Sequence, residues 1–303
     1  MNGILNIYKE AGYTSFDVVA KLRGILHEKK IGHTGTLDPD ATGVLPVCVG
    51  KATKVCGLLT DKDKEYEAVL QLGITTDTQD ATGQILTDHS DLIDTLTEER
   101  VREVVLSFIG AYEQVPPMYS ALKVGGRKLC DLAREGIEVE RKARLVHIYG
   151  IEIIQMQLPF VTMRVHCSKG TYIRTLCDDI GKKLGVGGSM KSLIRTRVSC
   201  FSLEQAMTLT QIEQHRDQGT VHELLLPIDD VFAEYPALHV TKEAQNRLQN
   251  GNRLVIADIS DMSHLCGPDT DAKYRVYDSQ GNFYGIYSWD TQRKDLKCIK
   301  MFL

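Results

Sequence analysis

Twelve consecutive residues carry the strongest chemical signal in the chain: Gly32-His33-Thr34-Gly35-Thr36-Leu37-Asp38-Pro39-Asp40-Ala41-Thr42-Gly43. The three glycines permit positive φ and close approach of backbone to a ligand. Pro39 disfavours the α region for Asp38 and pushes it toward an extended conformation. A carboxylate held on such a loop can be aimed at a bound molecule. The plainer alternative is a turn in which Asp38 accepts a hydrogen bond from a nearby backbone N–H, and composition by itself favours that alternative.

Other chemistries find less support. The eight cysteines, at 48, 56, 130, 167, 177, 200, 266 and 298, form no C-x-x-C pair. Their spacing is neither that of a zinc site nor that of a small disulfide scaffold, and reduced, mostly buried thiols of a cytosolic protein are expected. No H-E-x-x-H or clustered His/Asp motif suggests a metal. Gly43 to Gly50-Lys51-Ala52 faintly resembles a phosphate-binding loop, but the spacing is too long and no Ser or Thr follows the lysine.

At 303 residues, one large domain with a small one attached is the default expectation. Composition is that of a soluble globular chain, with 43% hydrophobic and 25% charged residues, which argues against disorder, collagen-like repeats and coiled coil. No stretch free of Asp, Glu, Lys and Arg exceeds 11 residues, too short for a membrane span of about 20. Met1 to Leu5 carries no basic run and no cleavage site, so a secretory leader is not expected. The net charge of −4 is unevenly spread: residues 161–197 sum to +6, residues 114–147 to +3 and residues 201–235 to −6. Nucleic acid responds to local basic faces rather than to the total, although such charges can equally be solvated surface.

The loop needs a scaffold, and periodicity supplies one. Residues 3–8 read as a strand. Thr14-Ser15 can cap a helix with Val18, Val19, Leu22, Ile25 and Leu26 on one face. The glycine-rich loop runs from Ile31 to Pro46. Residues 66–72 alternate as a half-buried strand, residues 74–92 are polar and turn-like, and a helix spans about 97–108. Residues 114–147, with Pro116-Pro117, Gly125-Gly126 and a short helical piece at 129–134, read as an insertion or a long surface loop. A strand over 161–167 turns at Ser168-Lys169-Gly170 into a helix capped by Thr171, with Ile173, Leu176, Ile180 and Leu184 on one face and Gly185 at its end. The acidic stretch 201–235 reads as a connector. Beyond Pro236, a helix at about 241–249 and strand-like pieces at 252–257, 273–278, 282–288 and 296–302 suggest a small β-rich domain.

The dodecamer resembles the active-site motif of the TruB family of tRNA pseudouridine synthases, G-H-T-G-x-L-D-P-x-A-T-G, with no departure at a defined position. The likeness extends over about residues 3–230. Lys64-Glu65-Tyr66 resembles the second motif, Val115 to Lys123 the start of an RNA-gripping insertion, Cys167 to Arg174 the motif holding a tyrosine and an arginine, and Leu193-Ile194-Arg195 the segment that closes the pocket. The C-terminal portion is more weakly similar to PUA-type RNA-binding modules. In one departure, Lys9 is followed by Glu10 where the family often has proline. Lys9 is therefore left out of the expected site.

The resemblance implies an α+β pseudouridine synthase fold: a mixed, mainly antiparallel sheet flanked by helices, over residues 1–232, with a PUA-like domain over 236–303. It implies isomerisation of uridine to pseudouridine at position 55 in the T loop of tRNA, without cofactor or metal. Asp38 would be the nucleophile, attacking C1′ of the ribose or C6 of the base. Arg174 would hold Asp38 in bidentate geometry and keep it ionised. A cation in the first turn of a helix is mildly unfavourable, which itself hints at a task for Arg174. Tyr66 and Tyr172 would line the pocket of the flipped base, His33 would fill the vacated space, and Leu193 would pack against the substrate. Lys123, Arg127, Lys128, Arg134, Arg141 and Arg144 would contact phosphates of the T arm, ordering partly on binding. A cytoplasmic monomer with no membrane and no required protein partner is expected.

Three alternatives stand beside this. One is a non-catalytic tRNA-folding or RNA-binding protein on the same scaffold. Another is the related guide-RNA-dependent synthase subunit. Without the resemblance, an Asp-dependent glycosidase or hydrolase would come next, but it would want a second carboxylate, which the motif does not show.

Overall fold

The computed structural model describes residues 1–263, 265 and 272–302. Along the chain the elements are β1 (Gly3–Lys9), α1 (Ser15–Leu26), β2 (Ile31–His33), β3 (Thr42–Val49), α2 (Cys56–Thr60), β4 (Lys64–Leu72), β5 (Ile74–Thr76), β6 (Ile85–Asp88), α3 (Glu98–Leu106) and β7 (Gly110–Gln114). Then come β8 (Lys123–Val124), β9 (Arg127–Lys128), α4 (Leu129–Arg134), β10 (Arg144–Gln157), β11 (Phe160–Cys167), α5 (Ile173–Leu184), β12 (Gly188–Val198), β13 (Phe201–Ser202) and α6 (Leu209–Asp217). The C-terminal part holds β14 (Ala237–His239), α7 (Gln245–Gln249), β15 (Lys273–Tyr277), β16 (Phe283–Asp290) and β17 (Asp295–Met301).

Nine strands form one sheet in the order β1-β3-β12-β4-β11-β10-β7, with β2 added to β3 and β13 to β12. The β3–β12 pair is parallel and every other pair of this sheet is antiparallel, so the sheet is mixed and mainly antiparallel. Strand β4 reads Lys64, Tyr66, Ala68, Leu70 and Leu72 into the core and alternate residues outward, as period-2 patterning requires. Of these, Tyr66, Ala68, Leu70 and Leu72 join Val161, Met163 and Val165 of β11 and Val101, Val104, Leu176 and Ile180 of α3 and α5. At the β1–β3 end the sheet is covered on both faces. Leu5, Ile7, Leu45 and Val47 meet α1 and α6, while Ile4, Val44 and Cys48 meet Phe232, Ile286 and Phe302. The C-terminal strands form a separate four-stranded sheet, β14-β15-β16-β17. Through Ile286 and Phe302 it shares a core cluster with the main sheet.

Several expectations are corrected. The loop taken as 31–46 is reduced to 34–41, because Ile31–His33 and Thr42–Val49 both pair as strands. Burial on both faces erased the alternation that would have revealed β3. The stretch 201–235 is no mere connector: Leu209 and Ile212 of α6 pack into the cluster of α1, and Met207 hydrogen bonds to β1. Thr171 does not cap α5. Its hydroxyl donates to Ser168 O at 2.9 Å, and Tyr172 occupies the cap position without a side-chain cap bond. The turn-like stretch 74–92 contains the β5–β6 hairpin. Residues 252–257 contribute only a bridge, Leu254 to Leu296, while the three-residue strand β14 was too short to show in the pattern. The seven described cysteines are free thiols, and Cys266 lies outside the described residues. Among the described residues no helix is long and apolar enough to cross a membrane, and no group of three or more His, Cys, Asp or Glu is placed to hold a metal.

Candidate active site

Residues 34–41 have no strand partner, yet they are fixed from four sides. Leu37 N donates to Ser15 Oγ at the start of α1 (2.9 Å), and Gly12 N donates to Pro39 O (3.0 Å). Leu37 and Ala41 are buried in the main core cluster. The ammonium of Lys9, fully buried at the end of β1, donates to Ala41 O (2.6 Å), Pro39 O (2.8 Å) and Glu10 O (3.0 Å). Three donors meet three carbonyls, which is the full capacity of an ammonium. Arg195 of β12 donates from Nε to Val44 O (2.7 Å) and from Nη2 to Gly35 O (3.2 Å), one on each flank of the loop. Gly43 explains itself here. It pairs with Arg195 across the parallel β3–β12 contact at φ +104°, and a β-carbon there would lie 2.2 Å from Arg195 O.

Asp38 therefore does not act as a turn cap. Its carboxylate faces Arg174, with Nε 3.0 Å from Oδ2 and Nη2 3.2 Å from Oδ1. The Asp38 side chain is 39% exposed and that of Arg174 only 6%, so one carboxylate face stays open while its partner is scaffold. Arg174 spends its remaining donors on Thr78 O (3.1 Å), Tyr119 O (2.9 Å) and Asp80 Oδ2 (3.5 Å). Burial pushes the Asp38 carboxyl above the usual carboxylate range. Arg174 opposes that shift and the nearby Asp80 adds to it. Arg174 is expected to keep Asp38 ionised, and its charge does act in that direction, with burial the larger influence.

Asp80 is the second carboxylate that the motif lacked, supplied from the stretch read as polar turns. It is not open for acid–base work. Its Oδ1 accepts from Thr82 N (3.0 Å), Thr82 Oγ1 (2.6 Å) and Thr78 Oγ1 (2.8 Å), and its Oδ2 faces Arg174. The neighbouring Gln79 is clamped to α5 by Asp178 and Thr175, each at 2.7 Å.

The other predicted residues surround this pair. Tyr66 is nearly buried directly across from Arg195 in the β4–β12 register, and Leu193 lies opposite Ala68. Tyr172 is half-buried and its backbone is held both ways by Gln114, with Gln114 Nε2 to Tyr172 O at 2.9 Å and Tyr172 N to Gln114 Oε1 at 2.8 Å. His33 is half-buried, accepts from Gly35 N at 3.3 Å, and is held below the usual imidazole value by burial and by the charge of Arg195.

The six insertion cations expected to contact phosphate do not behave alike. Lys123 and Lys128 face each other across the exposed β8–β9 hairpin, a like-charged pair that an anion would relieve. Arg127, Arg134 and Arg141 pair with Glu135, Asp131 and Glu138 of the same segment. Arg144 sits on β10, and its charge acts on the phenol of Tyr172. Sequence reasoning missed Lys9, Asp80, Gln114 and Arg195. Only Arg195 lay inside a recognised motif, and Lys9 was set aside for lacking the neighbouring proline.

Profiles of known families match this chain in two pieces: the TruB family pseudouridylate synthase N-terminal domain over residues 23–173 and the tRNA pseudouridylate synthase B C-terminal domain over residues 174–233. The chain is 53% identical to tRNA pseudouridine synthase B of Lachnoclostridium phytofermentans over 316 residues, covering 100% of both chains. It is 45% identical to that of Clostridium kluyveri over 305 residues, again 100% of both. Identity to that of Bacillus pumilus is 40% over 301 residues, 98% of this chain and 96% of the relative. Among solved structures, one of a Cbf5-Nop10-Gar1 complex superposes with a TM-score of 0.76 at 27% identity, covering 99% of this chain and 85% of that one. One of an H/ACA RNP bound to a substrate RNA containing 2′-deoxyuridine superposes with a TM-score of 0.74 at 24% identity, a likeness of fold alone (99% and 85% covered).

Proposed function

The chain belongs to the TruB family of pseudouridylate synthases, and from that premise we propose that it acts at uridine 55 in the T loop of tRNA, with Asp38 as the nucleophile. The reaction itself is the isomerisation of a tRNA uridine to pseudouridine, in which the glycosidic bond moves from N1 to C5 and the C5 proton is released. One observation carries the proposal: an accessible carboxylate, Asp38, is held at two points by a buried guanidinium, Arg174. Such a carboxylate can form and later break a covalent bond, at C1′ of the ribose or at C6 of the base. The isomerisation transfers no electron and no group to a second substrate, so it calls for no cofactor.

A uridine within a folded loop must be extruded to reach Asp38, at a cost of a few kcal/mol. Tyr66 and Tyr172 offer aromatic faces for the flipped base, and stacking returns about 1–3 kcal/mol. Leu193 closes the pocket, and His33 occupies the space the base leaves. Of the six expected phosphate contacts, Lys123, Lys128 and Arg144 have no acidic partner in their own segment, and they suit phosphates of the T arm. Arg127, Arg134 and Arg141 would have to exchange a local acid for a phosphate. The small C-terminal sheet, read as a PUA-like module over 236–303, extends the RNA-facing surface. The protein works as a cytoplasmic monomer on tRNA, with no protein partner.

The test is tritium release from tRNA labelled at C5 of uridine, in the absence of any guide RNA or protein, comparing the wild type with Asp38→Asn. Release by the wild type alone, mapped to the T-loop uridine, supports the reading. A folded wild type that binds tRNA without release shifts the weight to the RNA-folding or guide-dependent alternatives.

A further inference from the structure

Arg195 is 1% exposed, and no larger side chain among the described residues is buried so completely. A guanidinium removed from water ordinarily meets a carboxylate, because an unpaired buried charge is costly. Among the described residues no carboxylate lies within ion-pair distance of Arg195. Its Nε and Nη2 donate instead to Val44 O and Gly35 O, and its charge acts on the phenol of Tyr66. Gly35 and Val44 flank the segment that carries Asp38, and Tyr66 is the residue directly opposite Arg195 in the β4–β12 register.

We propose that Arg195 is a positioning residue that ties the Tyr66 ring and both flanks of the Asp38 loop into one unit. This rests on the reading of Asp38 and Tyr66 given above. A guanidinium is planar and presents donors in several fixed directions, so it can hold two carbonyls on the loop flanks and still face the residue opposite it across the strands. An ammonium at the end of a flexible stem cannot hold the same positions. Charge developing on the phenol oxygen of Tyr66 would face Arg195 directly. The ionisable groups acting on the Tyr66–Arg195 pair are Asp38 on its loop, Cys167 on β11, Lys9 on β1, Lys64 on β4 and His33 on β2.

The test compares full-length wild type, Arg195→Lys, Tyr66→Phe and the double variant. Single-turnover tritium release at saturating tRNA is measured from pH 5.5 to about 9, with tRNA affinity and thermal unfolding alongside. The expected result is that Arg195→Lys binds tRNA within about twofold of wild type but releases tritium about 10²-fold more slowly, the scale of a small misplacement at a reacting centre. The two single defects should not multiply, so the double variant should lie within about threefold of the slower single one. Tyr66→Phe removes the phenol oxygen on which the buried guanidinium of Arg195 acts, so its unfolding midpoint should fall by about 2–4 °C. A folded Arg195→Lys with wild-type rate and pH profile overturns the proposal. So do defects that multiply, or a rate loss that merely follows lost tRNA binding. Should Arg195→Lys not fold, Tyr66→Phe decides, because an unchanged midpoint means that the phenol–guanidinium link does not matter. Failure of the wild type to release tritium would count against the functional reading instead, and the unfolding measurement stands apart from activity.

Discussion

Arg174 and Asp38 are 136 residues apart in the chain and meet at two atom pairs, Nε to Oδ2 at 3.0 Å and Nη2 to Oδ1 at 3.2 Å. The same guanidinium also holds Thr78 O and Tyr119 O. It therefore joins the Asp38 loop, the 77–84 turn and the start of the insertion at the first turn of α5. The unfavourable position of a cation at a helix start is offset by Asp38 and Asp80.

Arg174→Lys should keep a charge but lose the two-point hold. Single-turnover release is expected to fall by at least about 10²-fold. Denaturant unfolding should show a loss of about 3 kcal/mol, since Asp80 and two carbonyls lose their donor. Near-normal rates would mean that Asp38 needs only a neighbouring charge.

The pH dependence follows from Asp38. The proposed mechanism needs Asp38 as the carboxylate, so it predicts an acid limb of the rate profile above the ordinary aspartate value of about 3.9. Asp80→Asn removes a negative neighbour that pushes Asp38 upward, so the limb should move to lower pH. The sign for stability is the reverse of the usual aspartate case. The folded state binds this proton more tightly than the unfolded chain, so ionising Asp38 lowers stability between the ordinary value and the raised one. Asp38→Asn should thus be at least as stable as wild type at pH 7, measured by thermal unfolding, while being inactive.

Lys9 is buried to 0% exposure and its pKa is lowered by desolvation to about 8. Lys9→Met would leave Ala41 O and Glu10 O without their ammonium donor and Pro39 O with Gly12 N alone. A loss of about 3 kcal/mol or more in urea unfolding is expected, together with slower chemistry. Unchanged stability would show that the loop holds itself.

Gly43→Ala places a β-carbon 2.2 Å from a backbone oxygen of Arg195 at positive φ. Neither strand can yield without breaking the parallel β3–β12 contact. A loss above about 4 kcal/mol or failure to fold is expected. A soluble variant of wild-type midpoint would overturn the argument from close approach.

Lys123→Ala with Lys128→Ala should weaken tRNA binding while leaving the single-turnover rate at saturation intact. The slope of log affinity against log salt should shrink by about 0.7–0.9 per lost phosphate contact. Free of tRNA, the 114–147 segment should exchange its amide hydrogens faster than β4 or β12; strong protection there would count against ordering on binding.

Local pattern was enough to find β4, β11, α1, α3 and α5, because each buries one face at a fixed period. The dodecamer and its neighbours were likewise readable as motifs, and Asp38 and Arg174, from two of them, meet in the structure. What the pattern could not carry was β3, whose two buried faces leave no alternation, and α6, whose apolar residues gain meaning only against α1. Nor could it show that Asp80, in a polar turn, shares Arg174 with Asp38. The depth at which Lys9 and Arg195 lie was hidden for the same reason. A lysine at a strand end and an arginine followed by Thr196 and Arg197 look like surface. Only the tertiary structure closes β1, β3 and β12 around them, turning two ordinary cations into the donors that hold the loop. Residue type and spacing determined which chemistry the chain offers. The burial and ionisation of its groups were decided by packing, because desolvation depends on what surrounds a charge in space and not on what precedes it in sequence.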